Sequence, residues 1–77
     1  MPEKALSWEH RARRYLRAEI KRAEVSYAEL AERLKKHGLK ETEASIANKL
    51  SRGTFAATFF LATMKAIGRE NVNLADL

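Results

Sequence analysis

Residues 26–68 read SYAELAERLKKHGLKETEASIANKLSRGTFAATFFLATMKAIG, and this stretch decides the fold. It holds all three glycines of the chain, Gly38, Gly53 and Gly68, and the single proline, Pro2, lies outside it. The intervals between the glycines are therefore free of the residues that break helices or turn strands. The stretch opens on Ser26-Tyr27-Ala28-Glu29, the pattern of a capping box. In it the Ser26 hydroxyl accepts from the Glu29 amide, and the Glu29 carboxylate accepts in return from the Ser26 amide. Val25, just before, is placed to pack against Leu30 or Ala28. Ala28, Leu30, Ala31 and Leu34 then share one helical face, Glu32, Arg33, Lys35 and Lys36 the other, and Gly38 ends the helix.

After the turn His37 to Glu41, Thr42 is positioned to cap a third, short helix over residues 43–51. Ile46 and Leu50 anchor it inward, and its other side carries Ala44, Ser45, Asn48, Ser51 and Arg52. Exposed bundle helices normally display long Glu and Lys side chains, whereas small and amide side chains let a helix approach a groove and pair with base edges. A fourth helix is expected over 55–67, with Gly68 as its stop. It is apolar nearly all round, with Phe59, Ala62 and Ala66 on one side and Phe60, Leu61, Met64 and Ile67 on the other. Such a helix is central to the bundle or shared with another subunit, and the first is the expectation here. Val72, Leu74 and Leu77 suit one more amphipathic turn, with Asn71 or Asn73 as its cap.

Before the capping box, a first helix is expected over 8–23, capped by Ser7 and with Glu9 in its positive first turn. Ala12, Leu16, Ile20 and Ala23 form its inner stripe, edged by Trp8 and Tyr15. Arg11, Arg14, Lys21 and Arg22 fall on the far side and Arg13 and Arg17 on a flank. The plain explanation of this basic face is solubility, since Glu9, Glu19 and Glu24 neutralise part of it. The whole of residues 1–77 thus reads as one all-α domain, a four- to five-helix compact bundle with a central helix-turn-helix over about 26–53. Its expected core is Leu16, Ile20, Leu30, Leu34, Ile46, Leu50, Phe60, Met64 and Ile67.

With 77 residues and no cysteine, no disulfide framework supports the fold, and a chain this short hides only about 60% of its unfolded surface. Fifteen Lys and Arg against ten Asp and Glu give a net charge of +5, an excess that favours polyanionic partners. No run approaches the roughly 18 apolar residues of a membrane span, and Met1-Pro2-Glu3-Lys4 lacks the pattern of a signal peptide, so a cytoplasmic location is expected. Catalysis has little to stand on. His10 and His37 are far apart, no metal-ligand spacing, nucleophile motif or phosphate-cradling glycine run is present, and Glu41 and Glu43 sit where acids favour a helix start. No cofactor is expected.

Residues 26–68 resemble the helix-turn-helix of the lambda-repressor-like (Cro/C1-type) DNA-binding domains. The landmarks are Leu30-Ala31 on the scaffold helix, Gly38 in the turn, Ile46 on the recognition helix, Arg52-Gly53 after it, and Leu61 through Ile67-Gly68 closing the core. The stretch also resembles an uncharacterised bacterial family of short proteins that share this fold. It departs from the common lambda-type pattern in a longer turn between Gly38 and Ile46, and in Thr54-Phe55 where a proline often follows the glycine.

The resemblance implies a double-stranded DNA partner, a transcriptional regulator associated with the nucleoid, and helix 43–51 as the reader of the major groove. It assigns Asn48 to base edges, Ser45 to an edge or a phosphate, and Ala44 to a thymine methyl. Lys40, Lys49 and Arg52 would hold phosphates, Ser26 and Tyr27 would meet the backbone, and Arg14, Arg17 and Lys21 would extend that contact. A homodimer is expected on DNA, its interface drawn from Phe59, Ala62, Ala66, Val72, Leu74 and Leu77. The alternative is an adaptor that binds a protein partner, such as a polymerase subunit, a toxin or a phage factor, through the helix-turn-helix surface or helix 55–67. RNA is the weaker nucleic-acid partner, because neither a stacking platform on a sheet nor a Gly-rich clamp is present.

Overall fold

Ser7 accepts a hydrogen bond from the His10 amide at 3.1 Å, and α1 (Trp8–Arg22) begins there. The computed structural model describes residues 6–77, so the expectations placed on Met1 to Lys4 lie outside the described residues. Ser26 caps α2 (Tyr27–Lys36) by accepting from the Glu29 amide. The return bond of the expected capping box does not form, because the Glu29 carboxylate turns along the helix to Arg33 at 2.7 Å. The Gly38 and Leu39 amides fold back onto the Lys35 and Leu34 carbonyls, the paired bonds that close a helix around a left-handed residue, here Gly38 at φ +87. Then come α3 (Glu43–Arg52), α4 (Ala57–Ala66) and a 3₁₀ turn (Leu74–Asp76) capped by Asn73. The fold is all-α, with no strand among the described residues.

One hydrophobic cluster draws on all four helices. Leu16, Leu30, Leu34, Ile46 and Leu50 are fully excluded from solvent, with Ile20, Met64 and Ile67 nearly so. α3 packs against both α1 and α2, and α2 also packs on α4. No helix among the described residues is long and apolar enough to cross a membrane.

Several expectations need correction. Phe59, not Phe60, is the buried phenylalanine, and Phe60 is half-buried beside it. α4 starts two residues later than expected, since Phe55 lies outside the helix and Ala56 is extended. The Phe55 ring packs on Phe59 with centroids 5.5 Å apart and stacks on Phe60 at 6.4 Å. Nor is α4 the centre of the bundle: Leu61 on its outer side is 62% exposed. On α1, Trp8 stands in solvent and Glu19 is inside. The inner stripe is thus centred on Tyr15, Leu16, Glu19 and Ile20, and Arg17, expected on a flank, is exposed together with Arg22. Arg22 bonds to Glu19 at 2.6 Å, and Arg69 Nε lies 2.8 Å from the other Glu19 oxygen without aiming its N–H along the contact. The buried carboxylate therefore joins α1 to the segment after α4. Ala28 is exposed, as the far side of α2 turns partly to solvent.

Candidate nucleic-acid interface

α3 is presented by its flanks. At its start Thr42 accepts from the Ser45 amide at 3.0 Å, and the Ser45 hydroxyl accepts from the Thr42 amide at 2.8 Å, a complete reciprocal cap with serine in place of the usual Glu or Gln. The same hydroxyl donates to the Glu41 carboxylate at 2.6 Å. Glu41's other oxygen takes the Lys49 ammonium, which also rests 5.0 Å above the Phe59 ring. The Glu41 side chain is almost wholly covered, so this carboxylate ties the turn before α3 to both the first and the second turn of the helix.

At the other end, Arg13 of α1 donates to the Ser51 carbonyl at 2.7 Å. A cation at the last carbonyls of a helix satisfies groups that lack an internal partner and complements the negative helix end. Gly53 closes α3 in the left-handed conformation, and a Cβ there would stand 2.3 Å from the Glu9 carbonyl oxygen. Two different requirements, the positive φ and the close backbone approach, thus select glycine at this position. With Ile46 and Leu50 buried below, α3 is fixed on three sides.

Its fourth side is open. Ala44, Ala47, Asn48 and Ser51 are exposed along it, with Glu43 and Arg52 at its ends. Ala47 was missed in the sequence, though its position three residues after Ala44 places it on the same face. Of the expected base readers, Ala44 and Asn48 lie on this face. Ser45 is half-buried on the Glu41 flank with its hydroxyl engaged in the cap. Of the expected phosphate contacts, Lys40, Arg52, Arg14, Arg17, Lys21 and Ser26 are exposed, Tyr27 is half-buried against the core, and Lys49 is paired with Glu41. Arg17 and Lys21 stand about 40° and 80° round α1 from Arg13, the residue that touches α3.

The ion pairs sharpen the charge distribution. Glu19, Glu29, Glu32 and Glu41 hold Arg22, Arg69, Arg33, Lys35 and Lys49. Arg11, Arg13, Arg14, Arg17, Lys21, Lys36, Lys40, Arg52 and Lys65 form no ion pair among the described residues. Glu9, Glu24, Glu43, Glu70 and Asp76 likewise form no ion pair among the described residues, so the unpaired groups keep an excess of cations for solvent or a partner. No group of three metal-ligating side chains occurs among the described residues.

No curated protein and no solved structure matches the chain. The family described as Domain of unknown function (DUF6471) matches residues 8–72, from the first residue of α1 past the end of α4. The match takes in all four helices and the open face of α3, and the chain belongs to that family.

Proposed function

We propose that the protein binds double-stranded DNA with the open face of α3 in the major groove. The observation that carries this reading is a ten-residue helix clamped on both flanks whose outer face is small and polar at Ala44, Ala47, Asn48 and Ser51. Small side chains let the helix axis approach the groove floor, and the Asn48 amide offers the donor and acceptor that match adenine in the major groove. Lys40, before the Thr42 cap, and Arg52, at the last residue of α3, bracket the helix at either end as phosphate contacts, and Arg17 adds a cation beside Arg13. Ser45 and Lys49 act as positioning residues in this reading: through Glu41 they hold α3 at a fixed orientation. Transcription regulation and association with the nucleoid follow from such binding.

A titration of labelled random duplex at two salt concentrations, followed by selection of a preferred site, tests it. Affinity should fall steeply with salt, by a log–log slope of about 0.9 for each phosphate neutralised. Asn48→Ala should weaken the preferred site by about 1–3 kcal/mol and leave random DNA nearly unchanged, whereas Arg52→Ala should weaken both and lower the salt slope by about one. Absence of duplex binding at low salt, or binding indifferent to both changes, contradicts the reading. The adaptor alternative has one observation in its favour, the exposure of Leu61 on the outer side of α4. It predicts that Leu61→Asp removes the biological effect while Asn48→Ala does not.

A further inference from the structure

We propose that the chain pairs with a second copy of itself through an apolar groove at the end of the bundle where α1 begins, with Trp8 as the side chain that enters it. The groove holds about 300 Å³ and is lined by Trp8, Ala12, Phe55, Phe60, Leu74 and Leu77, among others, with almost no polar surface. None of its walls belongs to α3, so the pairing leaves the proposed DNA-binding face free and does not depend on it.

Shape and charge each select a second copy as the occupant. A groove of this volume lies at the small end of binding cavities. It accepts one large side chain rather than a helix. Such a side chain stands at its own edge: Trp8 is 66% exposed, and Leu74 on the 3₁₀ turn, which also lines the groove, is 74% exposed. A protruding apolar group next to an apolar hollow is what a two-fold interface requires, since each copy then supplies both the knob and the hole. A tryptophan and a leucine left in water around a concave apolar surface are otherwise the marks of an unfilled contact site.

A cation and an acid also flank the groove, on its α1 side, where Glu9 is exposed too, and on its 3₁₀ side. Arg11 holds its guanidinium 4.8 Å from the Trp8 ring centroid on the α1 wall, and Asp76 is exposed on the 3₁₀ turn that carries Leu74. A two-fold that places Trp8 of one copy into the groove of the other brings each α1 wall to the partner's 3₁₀ wall, cation to acid. At a net charge of +5, two copies repel over most of their surface. This end of the molecule supplies the acid that offsets it. Of the residues expected from the sequence at a dimer surface, Phe59 is buried, while Val72, Leu74 and Leu77 line this groove.

Trp8 is the only tryptophan in the chain, so its emission reports the contact directly. Sedimentation equilibrium of the full chain without DNA should show a reversible monomer–dimer equilibrium, with Trp8 emission moving to shorter wavelength as the dimer forms. Trp8→Ala and Leu74→Asp should each weaken association about tenfold or more. Both residues are exposed, so helicity and melting temperature of the monomer should be retained. Asp76→Arg should weaken the dimer, and adding Arg11→Asp to it should restore part of the affinity. A chain monomeric at millimolar concentration overturns the proposal, as does a dimer indifferent to Trp8→Ala and Leu74→Asp, or a groove that quenches or shifts Trp8 only on addition of a different protein. Duplex titration of the same monomeric variants reads the α3 proposal separately.

Discussion

α3 and α4 are neighbours of equal length, ten residues each, and both seat buried side chains in the core, Ile46 and Leu50 in the case of α3, but their edges are held differently. α3 is fastened by polar groups at its edges: a reciprocal cap at Thr42, the Glu41 carboxylate on Ser45 and Lys49, and the Arg13 guanidinium on the Ser51 carbonyl. α4 has no side-chain cap and no acid in its first turn, and Phe59, Thr63 and Met64 hold it from within. A helix fixed at its edges as well can leave its whole outer face without a folding role. A helix fixed by burial alone is shaped by its core, and what it exposes, such as Leu61, is a remainder. The difference explains why the open surface of α3 is small and polar while that of α4 is mixed.

The comparison can be broken most forcefully in the core. Phe59→Ala should cost about 3–5 kcal/mol by urea denaturation, enough to unfold a domain this small, and Phe60→Ala distinctly less. Equal losses would mean that the two rings share the core and that burial alone does not hold α4. Next in size is Gly53→Ala, which meets both an unfavourable φ and the Glu9 carbonyl. It should cost more than about 1 kcal/mol. Because Gly53 joins α3 to α1, hydrogen exchange at the last turn of α3 should quicken; unchanged protection there would refute the close approach as the clamp.

The caps give a pair of opposite sign. Thr42→Ala should destabilise by about 1 kcal/mol, and Ala56→Asp, which supplies the missing cap of α4, should stabilise by a similar amount in thermal unfolding. A gain from both, or a loss from both, would erase the contrast between the two helices. Smallest of all is Asn48→Ala, expected to change folding stability by no more than about 0.5 kcal/mol, since the amide makes no internal contact that the fold uses. A larger loss would assign Asn48 to the fold rather than to a partner.

The helices and their caps were legible because capping and periodicity are local. Ser7, Ser26 and Thr42 cap as their positions foretold, and the leucines and isoleucines of α1, α2 and α3 are buried as their spacing required. What was illegible depends on partners distant in sequence. Glu19 is charged and so falls outside an apolar stripe, yet it is buried because Arg22 and Arg69, fifty residues apart from it in the latter case, meet it there. α4 is apolar on nearly every side, and such a pattern has too weak a phase from which to choose Phe59 over Phe60. Ser45 and Lys49 looked available for DNA because the turn from Leu39 to Thr42, which carries Glu41 against both of them, has no sequence signature. Ser45 alone gave a local sign: three residues after Thr42, it stands where a cap partner belongs.

The open face of α3 is the claim on which the functional account rests, and an NMR titration of the isotopically labelled chain with duplex DNA at low salt tests it most directly. The account predicts that the largest amide shifts and line broadening fall on Ala44, Ala47, Asn48, Ser51 and Arg52, with smaller effects at Lys40 and Arg17 and little at Trp8 and Leu74. Shifts confined to α1 around Arg14 and Lys21, or to α4 around Leu61, with α3 silent, would contradict it.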